Sequence, residues 1–261
     1  LLLGGFALLL SGLIDDWRGL PPLTRFLAQL GIIAIVVLEA PACRLAFFPD
    51  EPSLTIGLTV LWIVAMTNAF NFLDNMDGLS AGIAAIALMM LAFMAFLLRD
   101  FALATFCLAL FGALCGFLLY NLPPATIFMG DAGGLFLGFC PSAAAAILRR
   151  SYAEATLYGP HQLAPLLVLA VPVYDFASVN LIRIRTGAKP WIGDKNHISH
   201  RLVRLGLSRR GAVLAIYGLT GLPALPALLA LRFDEIYWLA ATALLLGLLA
   251  VADSLRYTPP E

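Results

Sequence analysis

Long apolar runs separated by short polar turns make up nearly the whole chain. Nine of them, Leu1 to Ile14, Leu23 to Leu38, Leu54 to Phe70, Leu79 to Leu98, Phe101 to Tyr120, Gly133 to Leu148, Leu163 to Ile182, Gly211 to Leu231 and Ile236 to Ala252, approach the ~20 residues a helix needs to cross a bilayer, the short ones implying tilt or a thinned edge. None shows the period-2 alternation of a barrel strand. The pattern therefore predicts an all-α polytopic membrane protein with about nine transmembrane helices, and without repeats or linkers it is one domain over residues 1–261.

One stretch breaks the apolar pattern in a regular way. In N-A-F-N-F-L-D-N-M-D-G-L, the polar residues Asn68, Asn71, Asp74 and Asp77 fall at every third position. On a continuous helix that step makes a slanting polar strip down one flank. Carboxylates at a membrane edge cost several kcal/mol unless hydrated, paired or bound to a cation. Asn and Asp oxygens are hard ligands of the kind magnesium prefers, so a bound cation or a watery cleft is expected, and Gly78 lets the helix open where the strip finishes. A helix N-cap cluster is the plainer explanation, but a cap needs one such residue.

Composition agrees with the pattern: 61% hydrophobic residues, 12% charged residues and a mean hydropathy of +0.93 exclude a soluble domain. The formal charge of zero says little, whereas its distribution sets an orientation. With Asp15 and Asp16 inside, eleven Lys and Arg fall inside and five outside, as the positive-inside rule requires. Every polar motif then lies on the cytoplasmic side. Cys43, Cys107, Cys115 and Cys140 have no metal-binding spacing and read as apolar fillers. The chain starts with Leu inside an apolar run, so it reads as truncated at its N-terminus.

Further chemistry lies in the turns on that side. Asp15 and Asp16 are adjacent, do not share a helix face, and are followed by Arg18 and Arg25, which suits handling a phosphate, a proton or a metal. Asp131 lies in F-M-G-D-A-G-G, where glycines admit backbone amides to a ligand and the helix that follows favours an anion at its start; a simple turn with an N-cap explains it equally well. Phe128 is either a lipid-facing ring or a stacking platform. Asp175 is expected to pair with Arg183 or Arg185. The stretch from Arg183 to Arg210 is strongly basic and holds His197, His200 and Arg201, the histidines i, i+3 on one face, well disposed towards diphosphate oxygens. Zinc is rejected, because His161 falls on the opposite membrane face. Acids, amides, a Gly-Asp loop and a basic loop at one edge point to a magnesium and diphosphate site with one water-soluble and one lipid substrate.

The order D-D-x-x-G-L, N-x-x-N-x-x-D-x-x-D-G-L, F-M-G-D-x-G and D-x-x-H-x-x-H-R-L resembles the polyprenyl-phosphate N-acetylhexosamine-1-phosphate transferase family over nearly the whole chain. The resemblance implies transfer of a sugar 1-phosphate from a UDP-N-acetylhexosamine, N-acetylglucosamine by default, to undecaprenyl phosphate, with release of UMP. It implies Asp131 as the main ligand of Mg2+ (manganese being the alternative) with help from Asn71. Asp15 and Asp16 would position or deprotonate the lipid phosphate, and Asp74 and Asp77 would line the nucleotide and metal pocket. Asn121 and Phe128 match positions that hold the uracil ring, and His197, His200 and Arg201 lie against the diphosphate and sugar; Asn68 joins them as a substrate-binding candidate. No nucleic acid is expected as a partner, and a homodimer is left open.

This sequence departs from the family pattern at Gly134, where Ser is common, at Asn75, where Gly is common, and at Ser199, where another His is common. Its short last motif resembles the branch that begins O-antigen, teichoic acid or similar envelope glycans more than the peptidoglycan branch. Two other classes remain open. A cation-coupled secondary transporter would place acids at the midplane, often within repeats. A non-catalytic relative would bind nucleotide sugar or polyprenyl phosphate without turnover.

Overall fold

The computed structural model describes residues 1–45, 47–156, 160–187 and 196–229. Among these there are ten α-helices and no strand: α1 (Leu2–Arg18), α2 (Pro22–Glu39), α3 (Pro52–Leu73), α4 (Leu79–Leu97), α5 (Phe101–Asn121), α6 (Gly130–Thr156), α7 (Ala164–Leu167), α8 (Ala170–Thr186), α9 (Ile198–Arg204) and α10 (Arg209–Leu229). Local chemistry sets their ends. Pro22 and Pro52 open α2 and α3, where a missing N–H costs nothing. Gly19, at φ 63°, closes α1, and Gly78, at φ 75°, precedes α4. The Asp100 carboxylate accepts from Leu103 N at 3.0 Å and caps α5.

Five helices, α2 to α5 and the Gly130–Glu154 part of α6, are long and apolar enough to cross a membrane, and the chain is a multi-pass membrane protein. The ninth apolar run and the end of the eighth lie outside the described residues. The seventh run departs from the expected single helix. It is divided into a 3-10 turn (Pro160–Leu163), α7 and α8. Pro172 lacks the N–H that would bond back to Val168, and its ring crowds that carbonyl, so the helix cannot run unbroken through Val168 and Leu169.

The spans of α4 and α6 form the centre, each 72% buried, whereas α2 and α5 are only 17% and 22% buried and turn broad apolar faces outwards to lipid. Small residues bring the central helices close. A Cβ on Gly138 of α6 would lie 2.4 Å from Thr67 Cα in α3, and one on Gly12 of α1 would lie 2.5 Å from Ala132 Cα in α6. Because α1 to α6 run alternately up and down, three helices end and three begin at the same end of the bundle. That end carries Asp15, Asp16, Asp74, Asp77 and Asp131. The opposite end is held by arginines: Arg149 donates to Leu45 O and, at 2.9 Å, to Gln162 Oε1, while Arg150 donates to Pro41 O at 2.9 Å.

A methyl group at Gly138 must separate two backbones, a strain of about 1–3 kcal/mol, whereas Gly116 on α5 has open space around it. We expect Gly138→Ala to lower the melting temperature of the detergent-solubilised protein by several degrees, and Gly116→Ala to leave it unchanged or raise it slightly, as read by tryptophan fluorescence on heating.

Candidate active site

The site is built on the first turn of α6. Two free N–H groups of that turn, those of Asp131 and Ala132, donate to Asp16 Oδ1 at 2.9 Å and Oδ2 at 3.0 Å. The anion expected at this helix start is thus a carboxylate of the protein itself, reached from the end of α1. Two glycines make room for the contact. Gly12 lets α1 touch the α6 backbone, and Gly130, at φ 65°, would place a Cβ 2.7 Å from Asp16 Oδ2.

This clasp aims Asp131 inwards. Its Oδ1 accepts from Asn71 Nδ2 at 2.7 Å, and its Oδ2 from Arg25 Nη1 at 3.1 Å. The same Arg25 nitrogen reaches Asp15 Oδ2 at 3.0 Å, and Asp15 Oδ1 accepts from Leu20 N at 2.8 Å. Asp15 is buried, so one acid holds both the α1–α2 turn and the arginine beside Asp131. Gly134 lies under Asn71: a Cβ there would come 2.4 Å from Asn71 Oδ1. The departure from Ser at this position therefore has a local reason, since Asn71 occupies the space.

The polar strip is not one continuous helix. Asn68 and Asn71 lie on α3, the helix ends at Leu73, Asp74 is its C-cap, and Asp77 lies in the turn before Gly78. Burying all four along one flank would leave two carboxylates against apolar helices; the helix instead ends at Leu73, before either acid, and Gly78 serves the start of α4. Asn68 Nδ2 donates to Gln29 Oε1 at 3.0 Å and Val64 O at 2.8 Å, which joins α3 to α2. Asp77 Oδ2 accepts from Ala125 N at 3.1 Å. Asn121, also buried, accepts from Gly78 N at 3.0 Å and donates to Ile127 O at 2.8 Å, so it locks the 74–78 turn to the 122–129 loop. Phe128, in that loop, is 75% exposed. The Asp74 N–H donates to Asn71 O at 3.3 Å, but its carboxylate makes no hydrogen bond or ion pair among the described residues. Burial, and after it the charges of Asp131 and Asp77, push its carboxyl up to about 6.

The last motif packs beside α3, with residues 188–195 outside the described residues. His197 is the N-cap of α9 and not part of it, so it does not share a helical face with His200. Asp175 does not pair as expected with Arg183 or Arg185. Its Oδ2 meets His197 Nδ1 at 2.7 Å, its Oδ1 accepts from Ile198 N at 2.6 Å, and Arg201 Nη2 stands 4.0 Å away. The reason is proximity: the α9 start is delivered to α8 at Asp175. Arg183 instead lies 5.5 Å from the centre of the Phe72 ring. Arg201 also donates to Ser178 Oγ at 2.6 Å, and His200 is on α9.

Gln29 and Tyr217 were not among the sequence candidates for this centre, Asn75 and Ser199 stood out there only as departures from the family pattern, and the role of Arg25 was not foreseen. A signal existed for two. Arg25 and Gln29 stand i, i+4 on an otherwise apolar helix, so they share an inward face.

The fold and site define a membrane protein whose polar centre is assembled from helix ends. The sequence model of glycosyl transferase family 4 matches residues 1–149, and the chain belongs to that family. It is 38% identical over 223 residues to a probable undecaprenyl-phosphate N-acetylglucosaminyl 1-phosphate transferase of Bacillus subtilis, covering 82% of this chain and 60% of that protein. It is 35% identical over 239 residues to the decaprenyl-phosphate N-acetylglucosaminephosphotransferase of Mycolicibacterium smegmatis, covering 82% and 58%. A phospho-N-acetylmuramoyl-pentapeptide-transferase of Staphylococcus carnosus is 36% identical over 154 residues, covering 51% and 47%. The chain thus spans about 60% of the length of the first of these relatives.

A carboxyl raised from 3.8 to about 6 binds its proton more tightly in the folded state. Stability is then greatest below about pH 4 and is lost as pH rises through about 6. We expect Asp74→Asn to raise the melting temperature at pH 8, by relief of about 3 kcal/mol, and to have little effect at pH 4; thermal scans of both proteins across this range check it.

Proposed function

We propose that the protein transfers N-acetylglucosamine 1-phosphate from its UDP derivative to undecaprenyl phosphate, releasing UMP, at the cytoplasmic face of a bacterial inner membrane as a first step of envelope glycan synthesis. The observation that carries this reading is the convergence on Asp131 of Asn71, Arg25, Asp15 and Asp16, with Asp74 near enough to feel its charge. Such a centre at a membrane edge suits a diphosphate on one side and a lipid phosphate on the other. The relatives carry polyprenyl-phosphate sugar-phosphate transfer in their names, which supports the same class.

Among the described residues no three His, Cys, Asp or Glu side chains are grouped to hold a metal by themselves. Magnesium does not need three, because it takes one or two carboxylates and fills its shell with water and substrate phosphates. Asp131 and Asp74 fit that demand: both offer hard oxygens, and Asp74 has a half-buried carboxylate with no partner among the described residues. Asn71 would hold Asp131 in place. Bound there, magnesium would supply charge stabilisation to the diphosphate.

The chain's own groups then divide the work. A lipid phosphate monoester, with a second pKa near ~6, is largely dianionic at neutral pH and needs no strong base. Its oxygen attacks the sugar-linked phosphorus, the bond to the UMP oxygen breaks, and UMP leaves as its anion. Asp15 and Asp16, already engaged by Arg25, Leu20 N and the α6 amides, position the site. Phe128 offers an exposed ring to the uracil, and His200 and Arg201 stand on the side where diphosphate and sugar would lie.

The test is UMP release by the purified protein in detergent, with undecaprenyl phosphate and a panel of UDP-N-acetylhexosamines, with and without magnesium. We expect release to require lipid and magnesium, and to fall about a hundredfold or more in Asp131→Asn. Preference for UDP-N-acetylmuramoyl-pentapeptide would instead place the protein in the peptidoglycan branch, and solute transport without UMP release would overturn the reading.

A further inference from the structure

The 74–78 turn and α9 are separated by more than a hundred residues, and a partly buried side-chain bond joins them. Ser199 Oγ donates to Asn75 Oδ1 at 2.6 Å. Ser199 is fully buried, and Asn75 is tethered at its other end, where Nδ2 donates to Phe72 O at 2.8 Å. Both partners therefore have fixed rotamers, and the bond transmits position. Its two ends stand among candidate site groups: Asn75 follows Asp74 and precedes Asp77 by two residues, while Ser199 sits between His197 and His200. The two rings beside it support the same junction, with Phe72 and His197 centred 6.2 Å apart. These are also the two positions at which the sequence departs from Gly and His, so the departures meet each other.

We infer that Asn75 and Ser199 act as a coupled positioning pair that sets the distance between the acidic turn and the basic α9 segment. The inference rests on the transferase reading, in which the two segments face the same diphosphate. Without the bond, each segment keeps its own anchors, Tyr217 Oη on Gly78 O at 2.6 Å for the turn and Asp175 on Ile198 N for α9. The fold therefore survives, while the relative placement of the two halves loosens. Removing the Asn75 amide leaves the buried Ser199 hydroxyl without that partner, and removing the hydroxyl frees the same amide oxygen, so the two substitutions are not expected to act independently.

The experiment is a double-mutant cycle of Ser199→Ala, Asn75→Ala and both together in the detergent-solubilised protein. Steady-state UMP release gives kcat and KM, and hydrogen exchange by mass spectrometry follows peptides covering 74–78 and 198–204. Each single variant is expected to lower kcat for the UDP-sugar by about tenfold to a hundredfold, with the double variant no slower than the slower single. Either single is expected to speed exchange in both segments. Losses that multiply in the double variant, exchange confined to the mutated segment, or a lowered melting temperature with unchanged kcat and KM would each overturn the pair. A wild-type protein that releases no UMP would overturn the transferase reading instead, and the exchange data would still decide whether the two segments are linked.

Discussion

The contact on which the site depends is the seating of Asp16 on the first turn of α6. A carboxylate that accepts two free N–H groups at a helix N-terminus is stabilised both by charge-assisted hydrogen bonds and by the helix dipole. In a membrane protein this has a second consequence. Because the amides belong to the start of α6 and the carboxylate to the end of α1, the contact holds α1 and α6 at one relative height and rotation. Gly12 and Gly130 are needed for the same reason, because a side chain at either would push the helices apart.

Given that contact, the other acids fall into two groups. Asp15 and Asp16 are both held by the protein, by Leu20 N and Arg25 in one case and by the α6 amides in the other. Asp74 is the opposite case, a half-buried carboxylate with neighbouring negative charges and its pKa raised to about 6. Natural proteins accept such a cost at places where something else is to bind. Asp131 stands between the groups, fixed by Asn71 and Arg25 yet close enough to Asp74 for their charges to interact.

Much of the candidate site was legible because polar residues are rare in this chain. Asp131, Asn71, Asp15 and Asp16 stood out against apolar surroundings, and the structure brings all four together. Other residues were seen but their partners were not. Asn68 and Asn121 are held in bonds to Gln29 and to the backbone of Gly78 and Ile127. Asp175 was expected to find an arginine on its own helix and instead meets His197 and α9. Ser199 and Asn75 looked like isolated departures until their side chains proved to be 2.6 Å apart.

The sequence by itself determined the solvent and the secondary structure, since runs of apolar residues without alternation can only be helices in a bilayer. It also determined the helix ends, through Pro22, Pro52, Gly19 and Gly78, and it collected the acids at one end by making the spans alternate in direction. Only the tertiary structure decided which acid carries charge into the site and which holds a backbone. That choice depends on distances between residues more than a hundred positions apart, as between Asp16 and Asp131, and helix packing fixes them to within an ångström where sequence spacing carries no information about them.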